Sequence, residues 1–406
     1  MAAPALPEPA QEQASFKRGS LENFLFMFLV FLFAVLLCAK AISSAESAAS
    51  KLRWLLLGVN LIGTVVCFVL LPPPSYKSPV KPFFQLVQAL GMMYFFNVLA
   101  MALLDSETLH KVLVAIDPRL SQPTTERSYS IDCRVFTPEH PESMFANVRD
   151  TLDFFVAAHF FGWAIKTLIF RNNLFAWMMS ISFEIYELSL RHWLPNFYEC
   201  WWDHLFLDLF GCNMLGILLT SWLMNRFKIE KFHWFFDPNE RTENAPYWRR
   251  LAYSLTQASP YMEAGNWHWL ANPTNFLTVS WLVVINSVTD LSNFLNKKML
   301  NIPANHYFLV IRIWIVGFFS ILCVAELYEF SRALGEKRKI GFNLALSFFI
   351  LAAETIIFVR NIRPEFFVAE TPVHVKAFWS VVSVLWLGLL LLSIKNSRRK
   401  LFKSLG

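Results

Sequence analysis

The sequence predicts an all-α protein, a polytopic membrane bundle of about ten transmembrane helices, and three observations carry that reading. Of its 406 residues, 55% are hydrophobic, 16% aromatic and only 16% charged, against roughly 25% charged in soluble domains. The apolar residues gather in runs of about 20, the length a helix needs to cross about 30 Å of hydrocarbon. Lys and Arg cluster between those runs rather than within them, as they do beside membrane spans. Mean hydropathy is +0.41. A soluble enzyme, a disordered chain and a collagen-like repeat are excluded by this composition, which holds only 13 Gly. The net charge of +6 is dispersed over loops, so it reads as a membrane-side bias and not as a nucleic-acid footprint.

Ten runs can be marked off: 23–41, 52–71, 83–104, 152–170, 174–193, 202–224, 276–295, 307–330, 340–359 and 376–394. The first also reads as a cleaved signal peptide, because Lys17 and Arg18 precede it and Ala39-Lys40-Ala41 resembles a cleavage site. An even number of spans puts both termini on one side. The clusters Arg332, Lys337, Arg338, Lys339 and Arg398, Arg399, Lys400 make that side the cytosol. The organisation is then a cytosolic tail over 1–22, a multi-span membrane domain over 23–395 with its chemistry in 150–225, and a basic cytosolic tail over 396–406. The loop 106–150 is polar, Pro-bearing and non-cytosolic. The connection 226–273 carries Trp248, Tyr253, Tyr261, Trp267 and Trp269, which suits a segment in the headgroup region or a lid.

Of six cysteines, Cys38, Cys67, Cys212 and Cys323 fall in apolar runs and read as small hydrophobes. Cys133 and Cys200 lie in polar sequence on the same side, which leaves a disulfide between them open.

Ionisable residues inside membrane spans are costly, so a dense set marks a functional site. The fourth run holds His159 and Lys166. The fifth holds Glu184 and Glu187, three apart and therefore on one helix face. The sixth opens with Asn196, Glu199, Asp203 and Asp208. At about 1.5 Å per residue, His159 and Glu184 each lie roughly 14 Å below the non-cytosolic surface and Glu187 about 9 Å below it. Asp208 comes to similar depth, with Glu199 and Asp203 at the mouth. One basin opening to that side can hold them all. Five carboxylates there repel one another unless positive charge is supplied. Oxygen-rich ligands select hard divalent ions, Ca2+ ahead of Mg2+ or Mn2+ and well ahead of zinc. Taken singly, a membrane Glu or His is as readily an interhelical hydrogen bond.

The runs His159-Phe160-Phe161-Gly162-Trp163-Ala164, Glu184-Ile185-Tyr186-Glu187 and Leu194-Pro195-Asn196-Phe197-Tyr198-Glu199-Cys200-Trp201-Trp202-Asp203, continued by Asp208, Cys212 and Asn213, resemble the base-exchange phosphatidylserine synthases. Asp117-Pro118, Glu126-Arg127-Ser128-Tyr129, Cys133, Pro303 and His306-Tyr307 resemble the branch that prefers phosphatidylethanolamine. The resemblance implies exchange of a phospholipid headgroup for L-serine in the endoplasmic reticulum membrane, dependent on Ca2+ and without nucleotide. Phosphatidylethanolamine or phosphatidylcholine is the donor, and ethanolamine or choline leaves. It implies His159 as general base, with a covalent phosphohistidine left open. It also implies Glu184, Glu187, Glu199, Asp203 and Asp208 as metal or serine-ammonium contacts, with Asn196, Asn213 and Lys166 as substrate-side support. With the topology above, the site faces the lumen. A homodimer is left open.

No P-loop and no DG-containing acidic motif of the CDP-alcohol phosphotransferases is present. The family's RPHPxxWR segment reads Ser78-Pro79-Val80-Lys81-Pro82-Phe83-Phe84-Gln85, so the product feedback associated with it is not carried over. No role is carried to Asp290 in the shifted Asp290-Leu291-Ser292-Asn293-Phe294. Arg312, Glu326, Glu329 and Glu354 read as interhelical partners, and a second ion or headgroup site is the sharper alternative. The competing class is a cation-coupled transporter, which predicts Gly/Pro-interrupted spans in two related halves. A non-catalytic scaffold is a further alternative.

Overall fold

The computed structural model describes residues 39–74, 80–122, 131–140, 143–152, 154–235, 268–303, 306–332, 339–362 and 369–405, with 29, 32–33 and 35–37. The expected tail 1–22, most of the expected span 23–41, Ser78, Pro79, Glu126 to Tyr129, Trp248, Tyr253, Tyr261, Trp267, Lys337 and Arg338 lie outside the described residues. The elements are helical throughout the described residues. Six helices there are long and apolar enough to cross a membrane: Ala48–Leu70, Lys81–Leu103, Asp203–Arg226, Tyr307–Arg332, Phe342–Asn361 and Val373–Arg399.

Three further expected spans are helices that fall short of that measure. Phe155–Phe170 is apolar but short. Asn173–Leu190 carries Ser180, Ser182, Glu184, Glu187 and Ser189, and Pro273–Met299 carries four Asn, Asp290 and two Lys. These last two are polar because they face partners inside the protein.

The chain divides into two units, Met1–Gln122 and Pro123–Gly406. In the first, α1 (Ala48–Leu70) starts at Ser47, whose hydroxyl accepts the Ser50 N–H at 3.1 Å. It packs against α2 (Lys81–Leu103), and Asn97 Nδ2 donates to Asn60 Oδ1 at 2.6 Å across the pair. A short amphipathic α3 (Ser106–Ile116) follows, capped by Asp105, which accepts the Thr108 N–H at 2.9 Å.

In the second unit, α4 (Ala146–Thr151) leads into α5 (Phe154–Phe170), which packs on α6 (Asn173–Leu190), on α7 (Asp203–Arg226) and on α9 (Tyr307–Arg332). The turn between α5 and α6 is stapled by the segment after α7. Trp234 Nε1 donates to the last α5 carbonyl, Phe170, at 2.9 Å, and Asn172 Nδ2 donates to Phe232 O at 2.9 Å. Asn172 also caps α6, accepting the Phe175 N–H at 3.0 Å.

The α5–α7 crossing is set by Gly216. A Cβ there would stand 2.5 Å from the Phe160 carbonyl oxygen and 3.1 Å from the Ala164 nitrogen. Backbone therefore touches backbone one residue from His159, the small-residue contact that membrane helices use for close approach.

α8 (Pro273–Met299), α9 and α10 (Phe342–Asn361) are joined by a buried ion pair. Arg312 donates through Nε and Nη2 to the two Glu354 oxygens at 3.0 and 2.8 Å, and through Nη2 to Ser292 Oγ at 2.6 Å. Glu326 of α9 caps α10, accepting the Leu344 N–H at 2.8 Å and Asn343 Nδ2 at 2.6 Å. Gly341 makes that approach possible, since a Cβ would fall 2.2 Å from Glu326 Oε2. Glu326 is buried and Glu329 exposed. These contacts match the interhelical reading of Arg312, Glu326 and Glu354. The last helix, α11 (Val373–Leu405), runs on into the expected tail as far as Leu405.

Gly216→Ala is expected to cost about 1–3 kcal/mol through overpacking, read as a lower unfolding midpoint of the purified protein. An unchanged midpoint would count against the close crossing.

Candidate active site at an acidic basin

The basin is assembled from α5, α6, the α6–α7 loop and the first half of α7. That half, Asp203–Asn213, is wound as a π-helix and passes into an α-helix at Met214. The Met214 N–H reaches Leu209 O, five residues back. A Cβ on Gly211 would stand 2.9 Å from Phe206 O, also five residues back, so a glycine suits this winding. In an α-helix, residues five apart point roughly 140° away from each other. The wider turn brings Asp203, Asp208 and Asn213 towards one face, and all three are buried. Such π segments recur at functional sites.

Before α7, the turn Pro195–Phe197 anchors the loop. Phe197 is 1% exposed and packs on Phe294 and Phe183, with ring centroids 4.8 and 6.4 Å away. This anchor fixes Glu199, two residues on. The loop is held a second time by a Cys133–Cys200 disulfide, realising the pairing that the sequence left open, and by Trp202 Nε1 donating to Cys133 O at 3.2 Å. Beyond it, the Arg134 guanidinium chelates Asp132 at 2.7–3.1 Å and holds its carboxyl well below the usual carboxylate range.

His159 lines a small cleft with Thr151, Phe155, Val156, Glu199, Asp203, Leu207 and Asp208. Its Nδ1 stands 3.7 Å from Asp208 Oδ1. Beneath the cleft, His204 lies among the α6 acids. Its Nδ1 is 3.0 Å from Glu184 Oε2, 3.3 Å from Glu187 Oε2 and 3.6 Å from Glu199 Oε2. Asn213 Nδ2 donates to Glu184 Oε1 and to Ser180 Oγ, both at 3.1 Å. Glu187 Oε2 and Glu199 Oε2 are buried and make no hydrogen bond. The ligand atoms of Glu184, His204 and Asp208 lie within 4.8 Å of one another, as do those of Glu187, Glu199 and His204. The acids with unsatisfied oxygens fit a bound cation on the chemistry of their donors.

His159, Glu184, Glu187, Glu199, Asp203, Asp208 and Asn213 thus come together. Lys166 does not join them. Its Nζ pairs with Asp290 Oδ2 at 2.7 Å and sits over the Trp163 ring at 4.2 Å and the Phe183 ring at 5.1 Å. The ring of Phe183 also packs against His159, at 6.4 Å. Lys166 instead makes an interhelical pair, which also accounts for Asp290. Asn196 lies in the anchoring turn, with its Oδ1 buried and without a hydrogen bond. His204 escaped the sequence reading. The available signal was its place four residues before Asp208 and one after Asp203, on the same acid-bearing stretch.

The family comparison is decisive on class, because residues 79–362 match the family described as phosphatidyl serine synthase. The chain belongs to the phosphatidylserine synthase family. A CDP-diacylglycerol--serine O-phosphatidyltransferase 2 of Oryza sativa subsp. japonica is 29% identical over 84% of this chain and 80% of its own length. The phosphatidylserine synthase 2 of Rattus norvegicus is 32% identical over 69% of this chain, with the match spanning 59% of the rat protein. The phosphatidylserine synthase of Drosophila melanogaster is 24% identical over 84% of this chain and 66% of its own length. The chain is a multi-pass membrane phosphatidyltransferase of phosphatidylserine synthesis, with serine and a phospholipid as substrates.

Replacing Cys133 and Cys200 together by Ser is expected to cost about 4 kcal/mol, the order for a closed loop of this size, and to lower the unfolding midpoint. Wild-type protein should gain two alkylatable thiols on reduction, and the double variant none.

Proposed function

We propose that the protein exchanges the headgroup of phosphatidylethanolamine, or of phosphatidylcholine, for L-serine in a reaction that depends on Ca2+. One observation carries the reading: a histidine lining a cleft together with members of a buried set of acids, two of whose oxygens have no hydrogen bond. Glu184, Glu187, Glu199, Asp203 and Asp208 would hold the Ca2+, which would supply positive charge for the phosphoryl oxygens.

The rest is the work of the chain's own residues. His159 takes the proton of the serine hydroxyl and returns it to the departing amino alcohol. Asp208, whose Oδ1 stands 3.7 Å from Nδ1, orients the imidazole. Asn213, whose Nδ2 also donates to Ser180, fixes Glu184. Phe155, Val156 and Leu207 give the cleft an apolar wall suited to the glycerol end of a lipid.

Replacing one phosphodiester by another is close to isoenergetic, so exchange needs no nucleotide. The printed name of the rice relative favours a second donor, CDP-diacylglycerol. The absence of the DG-containing motif supports headgroup exchange instead. A Cys133–Cys200 bond at the rim supports an oxidising compartment on that side, in keeping with a lumen-facing site in the endoplasmic reticulum and cytosolic termini. An ion-coupled transporter is the weaker reading, because the acids occupy one contiguous stretch of chain.

The test is conversion of labelled L-serine to phosphatidylserine by purified protein, with phosphatidylethanolamine, phosphatidylcholine or CDP-diacylglycerol as the sole donor, with Ca2+ and with excess chelator. Product from the first or second lipid, lost with chelator, is expected. Product from CDP-diacylglycerol alone would overturn the exchange reading. His159→Ala is expected to fold and to lose about 10²–10⁴-fold in turnover, and near wild-type turnover would remove the general-base assignment.

A further inference from the structure

The proposed reaction makes no use of His204, yet this imidazole is only 8% exposed and stands at the centre of the acids. Its Nδ1 faces three carboxylate oxygens, from Glu184, Glu187 and Glu199, at 3.0, 3.3 and 3.6 Å. A single N–H can donate well to one of them. Glu184 has a second donor, Asn213. The Oε2 atoms of Glu187 and Glu199 have none, although both are buried, and an unsatisfied buried anionic oxygen is costly. A carboxylate oxygen from each of these two acids and a His204 nitrogen lie mutually within 4.8 Å. An ion touching all three turns the crowding of lone pairs into shared coordination. The His204 Nε2 is buried without a partner and is the nitrogen left to carry the hydrogen.

We infer that His204 Nδ1 is a nitrogen ligand of the bound ion beside Glu187 and Glu199, and that it makes this site favour borderline first-row ions more than its acids alone would. The inference rests on the cation reading given above and extends it to a donor that Ca2+ does not select. Ca2+ takes oxygen ligands, whereas imidazole suits Co2+ and its neighbours. Such ions therefore compete with Ca2+ at this site and inhibit exchange when they win.

The test uses the full chain in phosphatidylcholine nanodiscs without serine, and Mn2+ as a paramagnetic probe. Spin-echo spectra of bound Mn2+ should show modulation from a directly bound imidazole nitrogen in the wild type and in His159→Asn. The modulation should vanish in His204→Asn, whose amide still reaches Glu184. His204→Gln serves as the second variant, if the first does not fold. In parallel, Co2+ affinity in His204→Asn should fall by more than about tenfold, the lower end of what losing even an outer partner costs, with Ca2+ affinity changing much less.

Bound Mn2+ without nitrogen modulation, or with modulation that survives in His204→Asn and is lost in His159→Asn, would overturn the inference. Ca2+-dependent exchange would then leave the cation reading standing. Failure of Mn2+, Co2+ and Ca2+ alike to bind saturably would overturn both.

Discussion

Everything in this protein is organised around the repulsion of acids that share one buried basin. Glu184, Glu187, Asp203 and Asp208 are each no more than 7% exposed, and a carboxylate removed from water loses several kcal/mol of solvation unless a partner replaces it. The ion pairs resolved for Glu184 and Glu187 are with a single imidazole, His204. One imidazole balances at most one of these charges. In the proposed reading a cation would relieve this imbalance, and a cation beside the cleft that His159 lines would suit phosphoryl transfer.

A basin that stores repulsion has to be held shut by the scaffold. The backbone contact at Gly216 fixes α5 against α7 and so fixes His159 over Asp208. The π winding turns acids five residues apart towards one side. Phe197 and the Cys133–Cys200 bond pin the loop that delivers Glu199. Further away, the Arg312–Glu354 pair shows the opposite regime, in which two buried charges satisfy each other and no ligand is needed. The same contrast separates Lys166, matched by Asp290, from the acids of the basin.

Much of this was legible in the sequence. Apolar runs revealed the helices, because a span must satisfy its backbone internally whatever its neighbours are. The acids and His159 were legible because ionisable groups stand out against an apolar background. The partner of Lys166 was not, since Asp290 lies 124 residues away and only the fold brings them together. His204 was missed because it reads as one more polar residue at a helix mouth. Its surroundings come from α6 and the α6–α7 loop, which supply the oxygens around it. The π winding was also illegible, since the identities of Asp203, Asp208 and Asn213 do not announce a change in helical period.

The central claim is that the basin is incomplete without a divalent cation. The most direct measurement is the unfolding midpoint of the purified chain in nanodiscs as Ca2+ is titrated, in the wild type and in Glu187→Gln. Selective binding to the folded state stabilises by about 2.7 kcal/mol at a hundred times the dissociation constant. The account predicts a saturable rise in the wild type that is reduced or absent in Glu187→Gln. A wild-type midpoint indifferent to Ca2+ would contradict it.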